Sequence, residues 1–247
     1  MNFSGISNKS TLGRMLRYPL RYLPREMVIP IMQGRLRGKK WIVGSATHGC
    51  WLGTFEHEKQ AIFADVIKES SVVYDIGANV GFYTLLASEL VKSKGSVIAF
   101  EPLPDNIHYL KKHIEMNKCQ NVKIFETGVA DFTGESFFAT NSSRCEGSIA
   151  AAGPLRVNII KLDDLVARDE IPVPDYIKID VEGAELKVLK GAENILSKSS
   201  PVIFLATHGQ EIHAQCCSYL RSLGYNLKSF DQHVIDSTDE ILASKSF

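Results

Sequence analysis

No run of this sequence approaches the ~20 apolar residues that a membrane-spanning helix needs. The longest candidate, from Met27 to Met32, is short and interrupted by Pro30. No apolar signal core follows Met1, so a cytoplasmic location is expected. Net charge is also missing: 28 Lys and Arg balance 28 Asp and Glu, which argues against a dedicated nucleic-acid binder. The five cysteines (Cys50, Cys119, Cys145, Cys216, Cys217) include no C-x-x-C pair and no zinc-like spacing. They read as inert thiols in a reducing compartment, and no metal site is expected. Internal repeats and low-complexity tracts are absent.

What is present is ordinary for a globular protein: 45% hydrophobic and 23% charged residues over 247 positions. That length suits one domain with an appendage. We expect a basic N-terminal extension over 1–50, helical in character, and one domain over 51–247. Residues 1–40 hold nine Lys or Arg and a single acid, Glu26. Leu12, Met15, Leu16 and Leu20 share a helical stripe with arginines opposite. Two readings stay open: a solvated helical face, or a surface making weak peripheral contact with an anionic membrane.

From Thr54 onward the pattern alternates. A helix is expected from Thr54 to Lys68, then strands at Ser71–Ile76, Val97–Phe100, Val122–Phe125, Tyr176–Val181 and Val202–Thr207. Helices fall between them at Phe82–Lys92, Asn106–Asn117, Glu185–Leu196 and Glu211–Leu223, and two short strands close the chain. Apolar strands alternating with helices of ten or more residues predict a doubly wound, Rossmann-like α/β sheet covered on both faces. Ligands in such sheets bind beyond the carboxyl ends of the strands, where strand order reverses. The stretch from Asp131 to Val157 is polar and glycine-bearing, and is expected as a long loop. Within it Asn141–Arg144 reads as a solvated loop or part of a substrate lid. Asp163 and Asp164 are expected to cap the helix that follows them, and Trp51, Phe55 and Glu56 either close a pocket or merely pack.

The first strand runs into Asp75-Ile76-Gly77-Ala78-Asn79-Val80-Gly81. Gly77 and Gly81 let the backbone turn sharply and approach a ligand, and the helix beyond offers unpaired N–H groups. The dinucleotide fingerprint G-x-G-x-x-G is absent, as is a Walker G-K-[ST], which disfavours a nicotinamide enzyme and a P-loop. Glu101 closes the second strand, twenty positions after Gly81. An acid there can accept hydrogen bonds from the hydroxyls of a ribose. Together the turn and the acid point to an adenosine-containing cofactor.

The fourth strand ends Lys178-Ile179-Asp180-Val181-Glu182-Gly183-Ala184-Glu185. Alternation puts Lys178 and Asp180 on one side, and a lysine inside a buried strand needs such a partner. His208 ends the fifth strand on the same rim and titrates near neutrality.

The Asp75–Gly81 turn and the Lys178–Glu185 stretch, with Phe100-Glu101-Pro102, resemble the FkbM family of methyltransferases over Trp51 to Tyr225. The resemblance implies a seven-stranded sheet with an antiparallel last strand and S-adenosylmethionine as cofactor. It also implies O-methylation of a sugar, glycan or polyketide-type hydroxyl. By it, Asp75, Gly77, Asn79 and Gly81 would hold the methionine end, Glu101 the ribose, and Asp131 would sit near the adenine. For in-line methyl transfer, Asp180 and Glu182 are the first candidates to bind the acceptor hydroxyl or take its proton, with His208 beside them. The alternative is a non-catalytic nucleoside-binding scaffold.

Overall fold

A computed structural model describes residues 18–140, 147–150, 155–230 and 234–246. Its centre is a seven-stranded sheet. The strands are β3 (Val72–Ile76), β4 (Ser96–Phe100), β5 (Val122–Phe125), β10 (Tyr176–Ile179), β11 (Val202–Ala206), β12 (Asn226–Ser229) and β13 (Glu240–Ser244). They lie in the order β12-β13-β11-β10-β3-β4-β5. β13 is antiparallel to both its neighbours, and the other pairs are parallel, so the expected antiparallel last strand is present. Within this sheet the chain enters at β3, winds outward to β5, then returns to lay β10 on the other side of β3. That reversal opens a crevice beyond Ile76 and Ile179, which are opposed in register.

Alternation along the strands divides the core in two. Tyr74, Ile76, Ile98, Phe100, Ile177 and Ile179 face one layer. Val73, Val97, Tyr176 and Phe204 face the other, against helices α2 (His57–Val66) and α3 (Phe82–Val91). Ile31, Leu36 and Trp41 are buried in that second layer too. The helix expected near the N-terminus is limited, among the described residues, to a 3-10 turn at Tyr18–Tyr22; Leu12, Met15 and Leu16 lie outside them. Val28–Pro30 (β1) and Lys40–Ile42 (β2) instead pair as an antiparallel ribbon. β-branched and aromatic side chains suit a pleated surface, and Gly34 and Gly38 supply positive φ in the connection. A short helix, α1, follows at His48–Leu52.

Two further expectations are corrected. The long loop is largely a second, four-stranded sheet: β6 (Gly128–Val129), β7 (Gly134–Thr140), β8 (Gly147–Ala150) and β9 (Leu155–Ile160). Leu155, Val157 and Ile159 alternate with Arg156 and Asn158, the period of a half-buried strand, and β7 pairs antiparallel with β9. The lid candidate Asn141–Arg144 lies outside the described residues. The helix expected over Glu185–Leu196 is split into α6 (Glu185–Gly191) and α7 (Glu193–Lys198). At the break Gly191 lies so close to the Ala130 carbonyl that a Cβ there would overlap it. Asp163 supplies the cap for α7 rather than for its own helix, α5 (Leu162–Ala167). It accepts from the N–H groups of Asn194 (2.9 Å) and Ile195 (3.1 Å). The remaining helices are α4 (Pro104–Met116) and α8 (Gln210–Ser222).

Candidate active site

The turn after β3 is held from three sides. Gly77 has φ +77°, and a Cβ there would overlap the Asp180 carbonyl oxygen, so only glycine lets β3 and β10 open side by side. Asn79 is also left-handed (φ 50°), a conformation asparagine tolerates, and its side chain accepts from the Val80 N–H at 2.7 Å. The Val80 carbonyl receives a hydrogen bond from Nδ1 of His113 on α4, at 2.7 Å.

Asp75 is fully buried below this turn and accepts from the Thr84 hydroxyl at 2.6 Å. Lys178, its register partner on β10, reaches it at 3.3 Å and reaches Asp180 at 3.6 Å. Burial alone would drive the lysine toward neutrality, but the carboxylates of Asp75 and Asp180 more than offset this and raise its pKa. Burial likewise works against Asp180, yet Lys178, Lys59 and His208 hold its pKa below the usual carboxylate value.

Glu101 is buried at the end of β4. It accepts from the N–H groups of Asn79 (2.8 Å) and Leu103 (3.0 Å) and from the Asn106 side chain (3.2 Å). Burial raises its pKa, opposed by those three donors. A cleft opens above it, lined by Gly77, Asn79, Phe100, Leu103, Val129 and Asp180 among others. A buried carboxylate opposite a glycine turn fits a ribose and an amino-acid end, so Gly77, Asn79 and Glu101 are the groups that could hold an adenosine cofactor. Gly81, at φ +93°, starts α3 behind them. Asp131 is exposed in the turn after β6 and does not line the cleft, whereas Thr127, Gly128 and Val129 do.

A second cavity of about 490 Å³ lies on the other side of the same turn. It shares Gly77, Asn79, Asp180 and Glu182 with the first. Phe55, Glu56, Lys59, Tyr83, His208 and Glu240 contribute to its wall. Trp51 is buried in the core instead. Lys59 bridges Glu240 at 2.7 Å and Glu56 at 3.4 Å, and Glu56 accepts from the Tyr83 hydroxyl at 2.7 Å.

At the junction the structure brings together the three residues read from sequence as chemical. Nε2 of His208 lies 3.5 Å from Glu182 and 3.8 Å from Asp180, and the three donor atoms are within 4.8 Å of one another. Glu182 adopts φ 54°, turning the chain just beyond β10. Nδ1 of His208 meets Glu185, a fully buried carboxylate, at 2.8 Å. That hydrogen bond, reinforced by the charges of Glu182 and Asp180 against the cost of burial, raises the histidine pKa to about 9. Below about pH 9 the ring between the carboxylates is mainly the imidazolium, and above it the neutral ring, with a free Nε2, predominates. Sequence reasoning passed over Thr84, Asn106, Tyr83 and Glu240, since nothing in linear spacing ties them to the turn. Glu185, inside the fourth-strand motif, reads from sequence only as an acid favouring the start of the helix that follows.

Residues 75–227 match the family model described as the methyltransferase FkbM domain. The chain belongs to the FkbM methyltransferase family. The domain is accordingly that of an S-adenosylmethionine-dependent methyltransferase. Among curated proteins, the hexuronic acid methyltransferase AglP of Haloferax volcanii is 30% identical over 161 residues, 64% of this chain and 63% of that protein. Methyltransferase 1 of Beauveria bassiana is 23% identical over 152 residues, 51% of this chain and 60% of its own. This FkbM chain thus spans under two thirds of the length of these relatives. The crystal structure of an FkbM methyltransferase from Methylobacillus flagellatus superposes with a TM-score of 0.53 at 22% identity. It covers 72% of this chain and 44% of its own. A SAM-dependent O-methyltransferase of Thermotoga maritima gives 0.51 at 12% identity, covering 92% and 80%, a likeness of fold alone. Among the described residues of this FkbM chain, no helix is long and apolar enough to cross a membrane.

Proposed function

We propose that this protein transfers a methyl group from S-adenosylmethionine to a hydroxyl of a sugar or glycan. The observation that carries the reading is the meeting of two cavities at Gly77, Asn79, Asp180 and Glu182. One cavity suits the cofactor, the other is lined by hydrogen-bonding side chains suited to a polyhydroxylated acceptor, and chemistry belongs where they join. The AglP relative, named for a hexuronic acid, supports a sugar as acceptor. When bound, the cofactor supplies a sulfonium methyl whose C–S bond breaks as the acceptor oxygen bonds the carbon, the electron pair staying on sulfur.

The chain's own part is positioning and proton removal. Glu101 holds the ribose hydroxyls, and the Gly77–Gly81 turn holds the amino-acid end close to backbone N–H groups. Asp180 and Glu182 orient the acceptor hydroxyl in line with the methyl group, and the neutral form of His208, whose share grows as pH rises toward about 9, takes its proton. A carboxylate-lined junction also favours the positive sulfonium electrostatically.

The test is incubation with S-adenosylmethionine and a panel of sugars, uronic acids among them, read by mass spectrometry for a gained methyl group. Asp180→Asn should lower turnover by about 10²–10⁴-fold with little change in cofactor affinity. Equal losses in both would count against the assigned role, and a folded protein that binds no S-adenosylmethionine would count against the function.

A further inference from the structure

Glu185 is a fully buried carboxylate with a specific task left unexplained by the reading above. Its Oε1 accepts from the Gly183 N–H at 2.9 Å and meets Nδ1 of His208 at 2.8 Å. Burying a carboxylate is costly unless it is bonded to a charge or to several donors. If its purpose were only to start helix α6, the Gly183 bond or a solvated first-turn acid would serve. Instead the side chain spans from the turn after β10 to the segment after β11 and grips an imidazole that is itself exposed.

We propose that Glu185 is the positioning residue of the site: it fixes the His208 ring through Nδ1 and so aims Nε2 at the junction of the two cavities. The proposal rests on the methyltransferase reading for its purpose. Its geometry stands independently.

A histidine has two ring nitrogens, and a bond at one decides what the other can do. With Nδ1–H committed to Glu185, Nε2 is the nitrogen that exchanges protons. It faces Glu182 at 3.5 Å and Asp180 at 3.8 Å, both from the turn after β10. Asp239, before β13, lines the same cavity, and Lys178 stands behind Asp180. His213, on α8, spends its Nδ1 on the Thr207 hydroxyl at 2.9 Å. In the neutral ring, protonated on Nδ1 alone, the acceptor's proton passes to the free Nε2 while the Nδ1 proton stays on the ring, held by Glu185, so proton removal gains as pH rises toward about 9. A buried carboxylate behind the ring makes it a stronger base, in keeping with its raised pKa. A backbone partner would hold the ring equally well but would strengthen the base less.

The experiment is ¹⁵N NMR titration of histidine-labelled protein, with the His208 signals assigned by their loss in His208→Gln. Wild type should show Nδ1 protonated and a titration midpoint near 9. Glu185→Gln keeps the shape and can still accept from Gly183, and should lower the midpoint by more than about one pH unit. Calorimetry with S-adenosylmethionine should give the same affinity for both proteins within about twofold. An unchanged midpoint in the variant overturns the proposal. Should the variant not fold, a wild-type midpoint near the ordinary 6.5, or an unprotonated Nδ1, overturns it alone. Loss of cofactor binding by wild type would sink the methyltransferase reading while leaving the histidine result legible.

Discussion

Lys178 and Asp75 stand opposite each other on adjacent parallel strands, their charged atoms 3.3 Å apart and both side chains almost wholly buried. The pair ties β10 to β3 directly beneath the crevice, and Lys178 also lies 5.2 Å from the centre of the Tyr83 ring. It is the foundation on which the glycine turn and Asp180 rest.

Removing one partner strands the other. Lys178→Met should destabilise the fold by about 3–5 kcal/mol, because Asp75 keeps a buried charge with only Thr84 to bond it. Combining it with Asp75→Asn should recover much of that loss. Urea unfolding of the two single variants and the double variant measures the coupling, and additive losses would show that the pair contributes nothing jointly.

Glu101→Gln exchanges a carboxylate oxygen for an amide nitrogen that cannot accept. S-adenosylmethionine affinity should fall by about 10–100-fold, the range of a charged hydrogen bond lost in a buried site. Calorimetry reads it directly, and NAD serves as a ligand that should bind neither protein. Unchanged affinity would place the ribose elsewhere.

Gly77→Ala should abolish cofactor binding and lower the melting temperature. The new methyl group would meet the Asp180 carbonyl, and φ +77° is unfavourable for any residue with a Cβ. Thermal unfolding alongside calorimetry checks both effects. A variant that binds normally would mean that the turn tolerates displacement.

His113 predicts a pH dependence of stability. Nδ1–H donates to Val80, Nε2 accepts from the Ile42 N–H at 3.1 Å, and Trp41 stacks on the ring at 3.9 Å. The neutral ring satisfies both bonds, and burial lowers its pKa from 6.5 to about 4. The unfolded chain therefore binds a proton more readily between those values. Stability should be constant with respect to this group above pH 6.5 and should fall as pH drops toward 4, by up to about 3 kcal/mol. Comparing denaturation midpoints of wild type and His113→Gln at pH 7 and pH 5 tests it. The variant should lack this share of the decline.

The order of strands and helices was legible because their residues obey simple periods. Val202–Ala206 is apolar along its length, and Val72–Ile76 and Ser96–Phe100 are so apart from Asp75 and Ser96, as strands covered on both faces are. β9 was readable in principle through Leu155, Val157 and Ile159, but the glycines around it obscured the pattern. Gly191 and Asp163 explain why one helix became two, and neither could be read locally. Each acts on a segment distant in sequence: Gly191 against Ala130, Asp163 on the start of α7.

Sequence alone therefore determined the α/β class, the glycine turn, Glu101 at a strand end and the membership of Asp180, Glu182 and His208 in one rim. These follow from backbone periodicity and from what glycine and buried charge permit locally. Tertiary structure decided the rest: that Asp75 is answered by Lys178, that His113 braces the turn beside Trp41, and that Glu185 holds His208. Such pairings depend on distances across strands and between turns. The order in which the sheet is wound sets those distances, and linear spacing carries no record of them.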